Sequence, residues 1–587
     1  MIQSVIDNVI NNIKNYDEIK LSAKIDENIF RLPISYIEKK YEISDIIKSD
    51  LELVDDISKS SAYNYLLDCK SKYGKLLVKQ WSEYYTNDIN YLKDTINLIK
   101  NFRPINKGRI YENTERIDNI CIELRNETGF YEKYKYIDNK FFHGLNNSGL
   151  FLQALTIYNL SSPVLSLMFP ILILIVPFFM LKFQKMQITF DTYVTTLLHI
   201  IKKNGMGKAL SEFSQVGMDR KIVILTSLCF YLFNIYQNFA TCRKFYLNIY
   251  KIRSNLQHVN QFISYSINSI NNINRFCGET YSNFKLFNFS IQENLIRFQH
   301  ELNEINLESL SVRHLTKIGN ILKSYFKLFN NKSYNDAINY GLYLDGFIDN
   351  IMSIKNNLSK KTINICKFTN KETKFKNAVF APLINNKPIS NNYNLKKNII
   401  ITGPNTSGKT TLLKTSLLNI ILSQQIGMGY YKSAQINPYR YLHSYINIPD
   451  TSERDSLFQA EARRCGDIIS AIYQGDTLDR HFCIFDEIFS GTNPSEAIAS
   501  AYSFLKYLSR FNNFEYMLTT HYVSLCKMID EDKIVLNKRM KIRDNKNTYK
   551  LEKGISQIKG GIKILEDLSY PPEIIENAKK IINDIII

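Results

Sequence analysis

At 587 residues the chain is long enough for several domains, each with its own core. Its 74 Lys and Arg against 56 Asp and Glu leave a net charge of +18, which suits a polyanionic partner such as nucleic acid or an anionic membrane surface, although abundant Lys, Asn, Ile and Tyr point to an AT-biased gene that contributes part of this basicity. Nine cysteines, scattered from Cys69 to Cys526 without a C-x-x-C pair, exclude a disulfide scaffold and show no zinc site; they read as free thiols in a reducing, intracellular compartment.

Residues 1–140 read as a mostly helical N-terminal region, with Ile43, Ile46, Ile47, Leu51 and Val54 at roughly helical spacing and no catalytic constellation. The opening MIQSVIDNVINNIKNYDEIK lacks the apolar run of a secretory signal and is too acidic for a transit peptide. Residues 141–245 form an apolar region. No formal charge occurs from Phe141 to Leu181, and Pro163–Leu181, PVLSLMFPILILIVPFFML, is apolar enough to span a bilayer. Pro163, Pro170 and Pro177 would break a helix in water, whereas membrane helices tolerate such kinks.

A second uncharged stretch, Ile222–Cys242, contains Asn234, Gln237 and Asn238. Together the two predict a transmembrane hairpin through 163–181 and 222–242; the soluble alternative is a buried core helix or a broken apolar connector. Lys185, Lys202, Lys203, Lys208, Arg220 and Lys221 lie between the stretches, and Arg243, Lys244, Lys251 and Arg253 lie just beyond, so the positive-inside rule gives no orientation. Residues 246–375 return to helical patterning as a core or lever region. Ile291, Leu295, Phe298, Leu302 and Ile305 make a short seam, read as an intramolecular helix pair in preference to a dimer zipper. Lys360–Lys376 reads as a lysine-rich connector into the last region, 376–587.

That region reads as an α/β nucleotide-binding domain. Asn398–Thr411, NIIITGPNTSGKTT, runs from a β-branched strand through a glycine loop into a helix, with the G-x-x-x-x-G-K-[ST] spacing of a P-loop. Such a loop, here Gly403, Pro404, Asn405, Thr406, Ser407, Gly408, Lys409, Thr410 and Thr411, wraps backbone N–H groups around phosphates on the positive end of the following helix. Lys409 would reach the β- and γ-phosphates, and the Thr410 hydroxyl would ligate Mg2+. Roughly 75 residues on, His481–Glu487, HFCIFDE, supplies a carboxylate strand. Asp486 would hold the metal through water, and Glu487 would polarise the attacking water as general base. A third strand-like run, Glu515–Thr519, leads into Thr520 and His521, whose imidazole could sense the γ-phosphate. The cofactors expected are therefore ATP and Mg2+.

From about 375 to 585 these motifs resemble, in order, the MutS family of DNA mismatch repair ATPases, a branch of the ABC-type ATPase superfamily. TGPN at Thr402–Asn405, FDEI at Phe485–Ile488 with Ser490-Gly491-Thr492, the run Glu496-Ala497-Ile498-Ala499, and Thr520-His521-Tyr522 each have a counterpart, as does the tail beginning YKLEKG at Tyr549. Between the P-loop and the carboxylate strand, Asp450–Arg464 resembles the family's signature segment, with Ser456, Phe458 and Glu461 at its serine, phenylalanine and glutamate. The resemblance implies that Ser456 reaches a γ-phosphate bound by another subunit, hence a composite site and a homodimer. Asp455, Leu457 and Thr406-Ser407 depart from the pattern, and the chain is too short for the family's full set of mismatch-reading and connector domains. Phe130-Tyr131-Glu132 repeats the family's mismatch-wedging Phe-x-Glu in an unsuitable context and reads better as a helix end packed by aromatics.

The resulting expectation is a multidomain chain: mostly α N-terminal and core regions, a two-helix membrane hairpin, and a C-terminal P-loop ABC-type ATPase domain facing the cytosol. Its expected function is an ATP-switched dimeric clamp on mismatched or branched DNA. The rival is a membrane-associated ABC-type ATPase with a remodelling or transport role, against which stand the missing LSGGQ-like signature and the small number of spans.

Overall fold

The computed structural model describes residues 29–54, 61–105, 114–126, 129–139, 141–183, 185, 189–203, 218–305, 317–446, 448, 457–532, 535–544, 546–556, 565 and 568–585. The chain is mostly helical, with α/β sheets, and divides into two compact units. The helical unit takes its described residues from Lys107–Ile267 and Gln292–Asn339; the sheet unit takes them from Asp26–Asn106, Asn268–Ile291 and Tyr340–Ile587.

The helical unit contains the helices Thr114–Asn126, Gly149–Phe183, Phe190–Lys203 and Ile318–Asn330, and most of the long helix Met218–Phe276. Gly149–Phe183 runs without interruption through Pro163, Pro170 and Pro177. Phe130 opens a short helix, Phe130–Tyr134, that Lys135 ends in the left-handed conformation. Its ring is 1% exposed and stacks on Phe329 at 3.8 Å and on Tyr136 at 5.3 Å. The Phe-x-Glu pattern here is thus a packed helix end, with no ring free to wedge between bases. Leu295, Phe298 and Leu302 of the apolar seam are buried within the unit, and Phe298 stacks on Tyr334 at 4.6 Å.

In the sheet unit β1 (Lys40–Glu42) pairs antiparallel with β2 (Tyr84–Thr86). The remaining strands are β3 (Asn364–Phe368), β4 (Lys374–Ala378), β5 (Asn391–Asn394), β6 (Asn398–Thr402), β7 (Met428–Gly429), β8 (Ser433–Ile436), β9 (Tyr441–Tyr445), β10 (His481–Asp486), β11 (Phe514–Thr519), β12 (Val535–Arg543) and β13 (Lys546–Lys553). They form a five-stranded sheet, β5-β4-β8-β3-β7, and a six-stranded sheet, β13-β12-β6-β11-β10-β9. In the larger sheet β9 through β12 are parallel, and β13 is an antiparallel edge. Phe482, Cys483, Ile484 and Phe485 of β10 are all fully buried, as a parallel strand covered on both faces requires.

The stretch expected as a connector contributes β3 and β4 instead. Lysine content hid the pattern: in β4 the exposed Lys374 and Lys376 flank buried Phe375, which is strand alternation with charged outward positions.

The helix Lys409–Ile426 follows β6 and is buried on nearly all sides, including its polar residues. Each of these finds a partner, as buried polar groups must. Asn419 donates to the Thr415 and Val379 carbonyls and accepts from the Tyr430 amide. Gln424 donates to the carbonyls of Thr86 and Tyr439. Gln425 donates to those of Trp81 and Tyr84 and accepts from Tyr63 Oη at 2.6 Å. Gly427 ends the helix at φ +71, and a Cβ there would stand 2.4 Å from Ile96, so only glycine fits.

Candidate functional site

The strand order places the site. β11 lies between β6 and β10, and all three are parallel, so their carboxyl ends are neighbours on one edge of the sheet. Open α/β sheets gather their ligand-facing groups at that edge. β6 delivers the glycine loop Gly403–Gly408, β10 delivers Asp486 and Glu487, and β11 delivers Thr519 to His521.

Lys409, the first residue of its helix, is 5% exposed. Its ammonium donates to the carbonyls of Gly403 at 2.9 Å and Pro404 at 3.3 Å, and it stands 3.3 Å from His521 Nε2 and 3.8 Å from Glu487 Oε1. Burial pulls its pKa below the ordinary lysine range, while Glu487 and Asp486 oppose that pull. Glu487 Oε1 is 2.5 Å from His521 Nε2. The hydrogen bond from His521, assisted by the charge of Lys409, holds the Glu487 carboxyl below its usual range.

Glu487 and Phe489 occupy the left-handed region at φ +54 and +57, a conformation costing about 1–2 kcal/mol each for residues with a side chain. The turn is pinned by the Glu487 amide donating to Thr519 O at 3.1 Å. Strain held in place beside a cluster of charged groups is common at functional sites. Asp486 accepts from Thr410 Oγ1 at 2.8 Å through one oxygen and from Thr519 Oγ1 through the other.

A cavity of about 520 Å³ adjoins the loop, within the usual size range of small-molecule sites. Asn405–Leu412, Thr415 and Glu487 line it together with Phe380, Leu383, Pro388, Ile389 and Tyr549. Leu383 and Ile389 are 38% and 45% exposed. Gly408 has φ +90, and a Cβ there would come 3.2 Å from the Tyr549 ring. Ser407 Oγ is buried with no hydrogen-bond partner among the described residues.

These features fit a nucleotide with a divalent cation. The buried ammonium at a helix N-terminus, the loop and the orphaned hydroxyl suit phosphate oxygens. The hydroxyl of Thr410 beside the Asp486 carboxylate is an oxygen donor set of the kind Mg2+ takes. The apolar part of the lining suits a base.

The structure therefore brings together Gly403, Pro404, Asn405, Thr406, Ser407, Gly408, Lys409, Thr410, Thr411, Asp486, Glu487 and His521. Ser456 lies outside the described residues. Its neighbour Leu457 begins the helix Leu457–Gln474, and a Cβ on Gly491 would meet Leu457 and the Phe458 amide at 2.8 Å, so this helix end rests directly on the turn after β10. Glu461, buried, accepts from the amides of Ser490 and Gly491 at 3.0 and 3.1 Å and from Ser490 Oγ at 2.9 Å. Thr519, Tyr549 and the apolar lining were not singled out from sequence. Tyr549 could be found only as the first residue of the MutS-like tail.

Residues 399–586 match a family model described as MutS domain V. Among curated proteins, the human "MutS protein homolog 4" is 32% identical over 217 residues, covering 34% of this chain and 22% of that protein. "Endonuclease MutS2" of Lactococcus lactis subsp. cremoris (strain MG1363) is 29% identical over 259 residues, covering 43% of this chain and 33% of that protein. "Endonuclease MutS2" of Agathobacter rectalis is 32% identical over 190 residues, covering 32% and 24% respectively. These matches support the MutS family for this chain. The likeness is partial: the chain spans between 22% and 33% of the length of these MutS relatives. The MutS-like match begins inside β6 and takes in the glycine loop, the carboxylate strand and His521.

Proposed function

We propose that the sheet unit binds and hydrolyses ATP with Mg2+, and that the chain uses this reaction as a MutS-like switch on mismatched or branched DNA, in mismatch repair or recombination. One observation carries the nucleotide reading: Lys409, Glu487 and His521, from three neighbouring strand ends, meet within 3.8 Å beside a glycine loop. The MutS-like match supports the DNA reading, and a net charge of +18 is compatible with it.

In this reading Lys409 exchanges its loop carbonyls and Glu487 for phosphate oxygens, a better match for a desolvated cation. Mg2+, when bound, neutralises phosphate charge and is held by Thr410 and, through water, by Asp486. Glu487 is freed to accept a proton from water, and His521 both orients that carboxylate and stands where a γ-phosphate would be sensed. Ser456 completes the site of a second protomer in a homodimer, so ATP closes the dimer and hydrolysis reopens it. The γ-phosphate is the group for which the two states differ in affinity.

The test is binding of the detergent-purified chain to homoduplex, single-mismatch and four-way-junction DNA, with and without ATP, over a salt series. Preference for mismatch or junction that ATP alters, with that ATP response lost in Lys409→Ala and Ser456→Ala, supports the switch. Steeply salt-dependent binding without preference reduces the DNA claim to a basic surface. No DNA binding, with hydrolysis stimulated by lipid, moves the function to the rival membrane-remodelling class.

A further inference from the structure

The helices Gly149–Phe183 and Met218–Phe276 carry large apolar side chains that the described residues of the helical unit leave about half exposed. Val164, Leu167, Val176 and Phe179 on the first, and Leu225 and Phe233 on the second, are 44–59% exposed. Polar groups are largely turned the other way. Asn238 Nδ2 donates to Ser166 Oγ at 2.6 Å, Tyr231 Oη donates to Ser166 O at 3.1 Å, and Cys242 Sγ approaches Leu160 O at 3.6 Å. Others bond back to their own helix: Asn159 to Leu155 O, Ser166 to Ser162 O, Thr226 to Ile222 O and Ser227 to Val223 O. Asn234, Tyr236, Gln237 and Thr241 stay outward, against this segregation. A water-soluble helix pair would show the reverse, with apolar faces inward and polar ones outward.

The cross-helix bonds also fix a register. Pairing of 160 with 242 and of 166 with 231 and 238 makes the helices antiparallel, which brings Lys182 near Lys221 at one end and leaves Arg243 and Lys244 at the other. Between those charges lie the 21 uncharged residues Ile222–Cys242 opposite 160–181. At helical rise this is about 32 Å, the thickness of a bilayer's hydrocarbon core, about 30 Å. An uninterrupted helix through Pro163, Pro170 and Pro177 fits the same setting, where neighbouring helices and hydroxyl groups compensate for missing amide donors.

We propose that residues 160–181 and 222–242 cross a lipid bilayer as an antiparallel hairpin, with the Ser166–Asn238 pair as a polar clasp between the helices and the apolar faces against acyl chains. Both flanking parts of the chain then lie on the same side of that membrane, so DNA or any other soluble partner is met at a membrane surface.

The experiment uses the full chain with Cys69→Ser and Cys242→Ser, which leaves Cys229 as the exposed thiol; the remaining cysteines are buried. The protein is reconstituted into vesicles of phosphatidylcholine with a minority of phosphatidylglycerol, floated on a density gradient and washed with alkaline carbonate. The expected result is flotation that survives the wash, with Cys229 resisting both a membrane-permeant and a charged maleimide until detergent is added, because the reactive thiolate does not form in hydrocarbon. Leu167→Arg with Leu232→Arg places charges on outward positions that are 57% and 56% exposed, and should lower the floated fraction about tenfold or more. Release by carbonate, equal labelling by the charged reagent, or flotation indifferent to the arginines would each overturn the proposal. So would a detergent-free soluble oligomer in which Cys229 is already protected, because a second copy of the chain would then be covering these faces.

Discussion

Oε1 of Glu487 lies 2.5 Å from His521 Nε2 and 3.8 Å from the Lys409 ammonium. One carboxylate oxygen therefore faces both the histidine and the lysine, and a phosphate would have to compete with it for the lysine. This relationship makes opposite demands on binding and on turnover, which separates the residues experimentally.

For Glu487→Gln, nucleotide affinity should be retained or increased, because the charge competing for Lys409 is removed. Turnover should fall by roughly 100-fold or more, the scale of a lost general base. Equilibrium binding of a fluorescent ATP analogue and single-turnover hydrolysis read the two effects separately. Hydrolysis at the wild-type rate would remove Glu487 from the role of base.

Lys409→Met should abolish the thermal stabilisation that ATP confers, by weakening binding about 100-fold, without lowering the melting temperature of the nucleotide-free protein. The reason is desolvation: a buried ammonium is costly to keep charged, and an apolar side chain of similar length avoids that cost. A large drop in nucleotide-free stability would instead make Lys409 a structural residue.

Glu461 is the acceptor for three donors of the turn after β10. Glu461→Ala leaves two backbone amides without a partner and should cost about 2–3 kcal/mol, seen as a lower unfolding midpoint. Glu461→Gln retains an acceptor and should recover most of that stability. Equal losses from both would show that the charge, and not hydrogen-bond satisfaction, is what matters.

Acid stability has a separate origin. His481 lies between Tyr441, 4.5 Å away, and Phe514, 5.9 Å away, with His443 Nε2 3.1 Å from its Nδ1. Burial pulls His481 down to about 4 and His443 to about 3, with Asp479 opposing and Arg440 reinforcing the shift at His481. The unfolded chain takes up these protons near pH 6.5, whereas the folded chain does so only near or below pH 4. Stability is thus fully present above about pH 6.5 and falls as the pH drops toward 4, by about 1.4 kcal/mol per pH unit for each proton excluded. His481→Gln should reduce that slope by about one proton in a pH series of thermal midpoints. An unchanged slope would assign the acid sensitivity elsewhere.

The candidate site was the most legible part of the sequence because its chemistry is local. A phosphate loop needs its glycines and lysine at fixed spacing, and Asp486 and Glu487 are adjacent in the chain. The structure adds what spacing cannot carry: that β11 separates β6 from β10, and that Thr519 braces Asp486 from the side. β3 and β4 were misread because the alternation of a half-exposed strand was concealed by lysine at its outward positions. The polar residues of the helix Lys409–Ile426 were unreadable for a different reason. Gln425 bonds to Tyr63, Trp81 and Tyr84, more than 300 positions away, and no window along the chain contains both partners. The surface lining residues Leu383 and Ile389 carry no motif at all.

Those same glutamine contacts determine what can be cut from the protein. A fragment beginning near residue 376 would retain every recognisable motif and yet expose the amides of Gln424 and Gln425, together with a helix that has no water-facing side. Residues 29–105 act on this helix as an inbuilt chaperone would, and a recombinant nucleotide-binding piece should be designed with them fused ahead of residue 340, not trimmed at the first motif.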